Sequence, residues 1–292
     1  MKKLIITAVM IVLMVMSLQS CSKDADGIVT TPLTTLTLEL NGLESLNNGA
    51  SYEGWIIVDD VPMSTGKFIT IESVQTFMVN ANYLEQATEF IISIEPSGDE
   101  DAIPSETKLL SGLFNENDEA MITIDEVIGD FFSASGKFII ATPTDLDSTN
   151  EQNGIWFEDP TGFAGVVPGL NLPDLENGWK YEGWIVFNEI PVTTGKFTSV
   201  NSSDEASSYG GTSITRPFPG EDFLSNAPNP LIFPLDGDVQ EKTVFISVEP
   251  DPDFDTLSPF FVKPLLGKAG KVNTTLHSLL INDNPPFGRV LR

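Results

Sequence analysis

One segment of this chain is present twice, and that duplication constrains the fold more than any other feature. Residues 52–68 read YEGWIIVDDVPMSTGKF and residues 181–197 read YEGWIVFNEIPVTTGKF, identical at ten of seventeen positions and offset by 129. Upstream, Leu43, Leu46 and Gly49 correspond to Leu172, Leu175 and Gly178 at the same offset. Downstream, Ile92-Ser-Ile-Glu-Pro96 corresponds to Ile246-Ser-Val-Glu-Pro250 at an offset of 154, so the second copy carries 25 extra residues within about 200–243. A period near 130 is too long for a solenoid or propeller unit. It predicts two tandem copies of one domain, the first over 34–148 and the second over 149–292, the latter with the inserted loop.

Each copy reads as β-structure. Residues 52–59 and 181–188 are rich in aromatic and β-branched side chains, which fit a pleated, half-buried surface. Each run is followed by a Pro and a Thr-Gly before Lys-Phe resumes, which predicts a hairpin whose loop is made by those breakers. Further strands are expected at 34–40, 88–95, 120–124, 136–142, 153–158, 243–249 and 275–281. The run Leu36-Thr-Leu-Glu-Leu40 alternates, as a strand with one wet face does. The runs at 88–95 and 244–248 are nearly continuous and belong nearer a sheet centre. No long helical period occurs beyond residue 20. The expected class is all-β, two tandem β-sandwich domains.

Charge excludes some functions. The chain has 292 residues, with 15 Lys and Arg against 42 Asp and Glu, a net charge of −27. Nucleic-acid binding needs a cationic surface to displace counterions from phosphates, so no nucleic-acid partner is expected. A single Cys and a single His leave no intramolecular disulfide and no multi-Cys or His-rich metal centre.

That one Cys ends a distinctive leader. Met1-Lys2-Lys3 is a positive start, and residues 4–18 are apolar apart from Thr7 and Ser17. Fifteen residues fall short of the ~20 needed to span a bilayer and fit a secretory signal. Leu18-Gln19-Ser20-Cys21 resembles the lipobox of bacterial lipoproteins. The resemblance implies cleavage after residue 20, lipidation of Cys21 and a tether over 21–33. Residue 22 is Ser rather than Asp, so the inner-membrane retention signal of such lipoproteins is absent. The implied location is the cell envelope, lipid-anchored at the outer membrane and either periplasmic or surface-exposed. Loss of Lys2 and Lys3 leaves 13 basic residues against 42 acidic, a charge of −29. Anionic lipid repels such a body, so it is expected to stand off the membrane on its tether.

The duplicated phrase also resembles a known extracytoplasmic module. Tyr-Glu-Gly-Trp-Ile, Pro, Thr-Gly-Lys-Phe and the downstream Ser-Ile/Val-Glu-Pro strand are similar to the C-terminal domain of anti-sigma-K factors, over roughly 34–142 and 169–292. That resemblance implies a β-rich, non-catalytic domain working outside the membrane. Such factors also carry a cytoplasmic sigma-binding segment and a membrane helix, which this sequence lacks, so only the extracytoplasmic module carries over.

Several residues are candidates for chemistry. Asp251, Asp253 and Asp255 match the opening spacing of an EF-hand loop, and calcium takes six to eight hard oxygen ligands. The sixth and twelfth positions are Thr256 and Val262 instead of the Gly and Glu such a loop requires. Calcium is therefore an optional structural ion in this reading, and no other cofactor is expected. In the insertion, Phe218, Glu221, Asp222 and Phe223 form a candidate interaction patch or, alternatively, a plug at one end of the sandwich. Trp55 and Trp184 read as core aromatics. Trp156 and Trp179 read as packing between the copies. Glu95 and Glu249, each before a Pro, read as hydrogen-bonding partners of a loop. His277 reads as structural, and no nucleophile elbow or P-loop is present. The sequence thus predicts a non-enzymatic envelope lipoprotein for protein interaction or envelope sensing. The alternative is a surface adhesin or glycan-binding module, which an exposed aromatic-lined pocket would favour.

Overall fold

The computed structural model describes residues 31–163, 165–212, 216–271 and 276–292. The signal segment and Cys21 lie outside the described residues. The first half runs β1 (Leu33–Asn41), the hairpin β2 (Ser51–Val58) and β3 (Val61–Phe68), β4 (Val74–Asn80), the short helix α1 (Ala81–Gln86), then β5 (Glu89–Glu95), β6 (Lys108–Leu113), β7 (Glu119–Ile122) and β8 (Ser135–Ile140). The second half begins with β9 (Gly154–Trp156) and the two-residue strands β10 (Glu158–Asp159), β11 (Val167–Pro168) and β12 (Leu170–Asn171). It continues with the hairpin β13 (Trp179–Phe187) and β14 (Ile190–Phe197), β15 (Gly220–Asp222), β16 (Thr243–Pro250), β17 (Leu265–Lys268), β18 (His277–Ile281) and β19 (Phe287–Leu291). The fold is all-β, built from several multi-stranded antiparallel sheets.

The turn of each repeated hairpin falls earlier than its breakers suggest. The chain reverses at Asp59-Asp60 and at Asn188-Glu189, all four with φ between 50° and 69°. Two consecutive positive-φ residues make the turn whose twist matches the flanking strands. Pro62 and Pro191 instead sit inside β3 and β14, paired with Ile57 and Val186. Both are edge strands, where a missing N–H costs no ladder bond. Thr65-Gly66 and Thr194-Gly195 lie at register shifts opposite Gly54 and Gly183. A Cβ on Gly183 would fall 2.2 Å from Thr194 Oγ1 and 2.7 Å from the Phe157 ring. The bulge and the glycine opposite it therefore recur together.

Sheet order shows how the halves are joined. One sheet runs β3-β2-β5-β6 and another β4-β1-β19-β7. The second half forms one continuous path, β14-β13-β16-β17-β18-β8-β9-β15. In the first half, isolated bridges Ser111–Thr123 and Phe114–Ala120 join β6 to the β7 side. The two halves then have the same strand order, with one exchange. The last strand of the first half, β8, lies between β18 and β9 of the second. The last strand of the second half, β19, lies between β1 and β7 of the first. Gly136-Lys-Phe138 on β8 and Gly288-Arg-Val290 on β19 occupy corresponding sites: Gly136 faces Leu279 and Gly288 faces Ile122. Arg289 pairs with Glu39 at 2.9 Å, and Arg292 donates to the Ala87 carbonyl at 2.7 Å. The duplication at 34–148 and 149–292 is one of sequence; hydrogen bonding crosses it in both directions, and Pro32–Arg292 forms a single compact unit.

One contiguous apolar cluster runs through both halves. It includes Leu36 and Leu38 of β1, Tyr52 and Ile56 of β2, Phe138 of β8, Tyr181 and Ile185 of β13, and Val290 of β19. At ~25 cal/mol per Å² of buried apolar surface, such a cluster is the main term holding the sheets face to face.

Candidate functional site

Alternation on the duplicated strands sorts their side chains by face. Tyr52 and Ile56 enter the core cluster, whereas Glu53 and Trp55 point to the opposite face of β2, and both are nevertheless buried. Trp184 and Glu182 repeat the arrangement on β13. Both tryptophans are thus buried, as core aromatics are, but they cover a polar network.

In the second half, Trp184 Nε1 donates to Ser247 Oγ at 2.8 Å, and Ser247 donates in turn to Glu249. Glu249 also accepts the Phe260 N–H at 2.9 Å, which anchors the following loop. Thr193 Oγ1 donates to Glu182 Oε1 at 2.5 Å. Lys196 Nζ lies 2.7 Å from Asp253 Oδ2 and 4.0 Å from Glu182 Oε2. The first half repeats this residue by residue. Trp55 donates to Ser93 at 2.7 Å, Ser93 to Glu95, and Ser64 to Glu53. Glu95 accepts the Ser105 N–H at 3.1 Å, and Lys67 lies 3.1 Å from Asp99 and 3.6 Å from Glu53. Burial pushes the Glu182 carboxyl up to about 8 and that of Glu249 up to about 7, against the lowering effect of their hydroxyl donors. Burial also holds Glu95 above the ordinary carboxylate range. Burying a charge without full pairing is costly, so the protonated form gains.

The expected roles of Glu95 and Glu249 are therefore found. Glu53 and Glu182 are the members that sequence reasoning left without a role. A signal was present: an acidic residue, in both copies, inside a strand otherwise apolar and aromatic.

The insertion builds a second feature. Asp222 Oδ1 accepts from Trp156 Nε1 at 2.7 Å, and Asp222 Oδ2 accepts the Thr144 N–H at 2.8 Å. Phe223 packs against Phe187 and Phe233, with ring centroids 5.0 and 5.4 Å away. Phe218, Glu221, Asp222 and Phe223 are all buried. As a correction to the interaction patch, burial leaves these four side chains little surface for a partner; Asp222 ties the insertion to Trp156 of β9, and Phe223 sets it against Phe187 of β13. A cavity of about 320 Å³ beside them is lined by Asp204, Glu221, Arg216 and Trp156. Burial pushes Asp204 up to about 6 and Glu221 up to about 7. Each accepts backbone N–H bonds, from Gly220 at 2.9 Å and Tyr209 at 3.2 Å respectively.

A larger cleft of about 390 Å³ opens at the seam of the halves. Ile124, Asp125, Asp130, Phe131 and Phe132 line it from the first half, and Lys263, Ile281, Asn282 and Asp283 from the second. Phe132 is 89% exposed. An apolar floor with a few convergent polar groups is the ordinary form of a binding site.

The remaining candidates separate. Asp251, Asp253 and Asp255 do not converge: Asp251 pairs with Lys180 at 3.3 Å, Asp253 with Lys196, and Asp255 accepts from Asn47 at 2.6 Å. Of the three, only Asp253 joins other carboxylates. Trp179 does link the halves, donating to the Lys108 carbonyl at 3.2 Å. Trp156 also lies where the halves meet: it is paired with Ile139 of β8, and the Asp222 that accepts its indole N–H also accepts the Thr144 N–H of the first half. His277 lies against Phe138, with ring centroids 5.1 Å apart, and its Nδ1 accepts the Gly270 N–H. Among the described residues no helix is long and apolar enough to cross a membrane. Comparison with family models, curated proteins and solved structures found no match.

Proposed function

We propose that this chain is a non-enzymatic envelope lipoprotein, held by lipid on Cys21, that works by binding a partner at the seam between its two halves. The seam cleft supports this reading best. It belongs to neither copy alone, and it presents Phe132 beside the carboxylates of Asp125, Asp130 and Asp283. A protein segment with an apolar side chain flanked by basic groups has the matching chemistry. Envelope sensing, the role implied by the anti-sigma-K resemblance, fits a site whose shape depends on how both halves are held. The alternative glycan reading draws on the same cleft. An open Phe ring offers a sugar its flat face, and Asn282, Asn284 and Asp283 offer hydroxyl partners. In either case the anchor gives stable attachment, since two or more acyl chains suffice at ~0.8 kcal/mol per buried CH₂.

A photo-crosslinking residue at position 132 of the full-length protein in its own host tests the proposal. A discrete crosslinked species there, absent with the probe at exposed Met78, would support protein binding at the seam. Retention of sugars on an array, lost in Phe132→Ala, would support glycan capture. Neither signal, in protein shown to be folded, would remove the seam as the working surface. Cys21→Ala should move the chain from the membrane to the soluble fraction; unchanged membrane retention would remove the anchor.

A further inference from the structure

We propose that the second half holds a divalent cation, calcium, between Glu182, Glu249 and Asp253, at a site independent of the seam. Each of these residues offers a carboxylate oxygen, and the three oxygens lie within 4.8 Å of one another. Calcium binds oxygen at about 2.3–2.6 Å, so three carboxylate oxygens no farther apart than this can share one ion, and a carboxylate-rich site of this kind suits a hard cation such as calcium.

A second observation separates this cluster from an ordinary acidic surface. Glu182 is 3% exposed, and its Oε2 has no hydrogen-bond partner. Its other oxygen is held by Thr193 Oγ1 at 2.5 Å, which leaves Oε2 as the available ligand atom. The neighbours are held in the same manner. Asp253 Oδ1 accepts the Asp255 N–H at 2.7 Å, and Glu249 is gripped by Ser247 and the Phe260 N–H. Ligands oriented from behind by such bonds are typical of metal sites. Lys196 covers only one of the three carboxylates closely, at 2.7 Å from Asp253. Its side chain is partly exposed, so it can swing outward when a cation enters.

The first half supplies an internal comparison. Its equivalents are Glu53, Glu95 and Asp99, and Glu53 Oε2 is likewise without a hydrogen-bond partner. There Lys67 approaches Glu53 to 3.6 Å and also donates to the Asp99 backbone carbonyl at 2.5 Å, and Asp99 is more exposed than Asp253. Among the described residues only the second half brings three carboxylates this close. The copy whose three carboxylates lie deeper and closer together is the one assigned to the ion.

The test uses full-length protein in detergent, stripped with chelator, with calcium and terbium as probes. Millimolar calcium should raise the melting temperature by several degrees. Terbium should give luminescence sensitised by Trp184, which is joined to Glu249 through Ser247, and calcium should quench it by competition. Glu182→Gln should reduce both signals at least tenfold, and Glu53→Gln should leave them. Calcium without effect on wild-type melting would overturn the proposal, as would terbium emission that survives Glu182→Gln. If Glu182→Gln fails to fold, Asp253→Asn replaces it with the same expectations.

Discussion

Single residues in this molecule are under strong electrostatic constraint because carboxylates are buried where few cations reach them. Asp204 and Glu221 show the consequence. Their acid groups lie near 6 and 7 in the folded chain, raised mainly by burial, with Glu205 beside Asp204 and Asp222 beside Glu221 adding to the shift. In the unfolded chain they return to ~3.9 and ~4.3. Between those limits the folded state binds more protons, so stability is highest below about pH 4 for these groups and falls as pH rises through 6 and 7. Melting in chelator should therefore drop from pH 5 to pH 8. Asp204→Asn with Glu221→Gln should make that slope shallower, the remainder belonging to Glu182 and Glu249, and raise the pH 8 melting temperature by about 3–6 °C; an unchanged slope would place the titration elsewhere. Steric constraint is equally local. Gly183→Ala puts a methyl 2.2 Å from Thr194 Oγ1, and overpacking of this kind costs about 1–3 kcal/mol, readable as a lower denaturant midpoint.

At the scale of elements, the repeated hairpin is the best-defined unit. Its strands were legible from composition, because aromatic and β-branched runs favour a pleated surface whatever they pair with. Its turn was not, since Pro and Thr-Gly are breakers only in the middle of a sheet and lie here on an edge strand. Asp59-Asp60 and Asn188-Glu189 carry the strain of positive φ instead. Asp60→Gly removes that strain, and a gain of about 0.5–1 kcal/mol is expected in urea unfolding. A loss would show that Asp60 makes a contact more important than its backbone conformation. The insertion follows the same logic. Its aromatics marked it as unusual, but only packing shows Phe223 set against Phe187 and Phe233.

At the scale of the whole molecule, the exchanged strands decide behaviour. Removing residues 287–292 takes β19 from between β1 and β7 and removes Arg292 from the Leu84 and Ala87 carbonyls. The damage should appear in the first half, some 250 residues away in sequence. We expect the truncated chain to lose its sharp thermal transition. Residues 32–148 made alone should be aggregation-prone, with β8 unpaired and a gap beside β1, since open strand edges recruit other chains. Expressed together with 149–292, the two pieces should co-purify as one folded complex. Independent folding of either piece would contradict the exchange.

The sequence by itself determined the duplication, the all-β class, the position of most strands and the pairing of each Glu-Pro with its loop. These follow from local side-chain chemistry, which acts over a few residues. The tertiary structure alone decided that β8 and β19 change places, that Asp253 leaves its neighbours to join Glu182 and Glu249, and that a cleft opens at the seam. Each of these depends on which strands and loops meet across about seventy residues or more of chain. Gly136-Lys-Phe138 and Gly288-Arg-Val290 fit either gap by composition alone. Only the closed fold selects the gap each one fills.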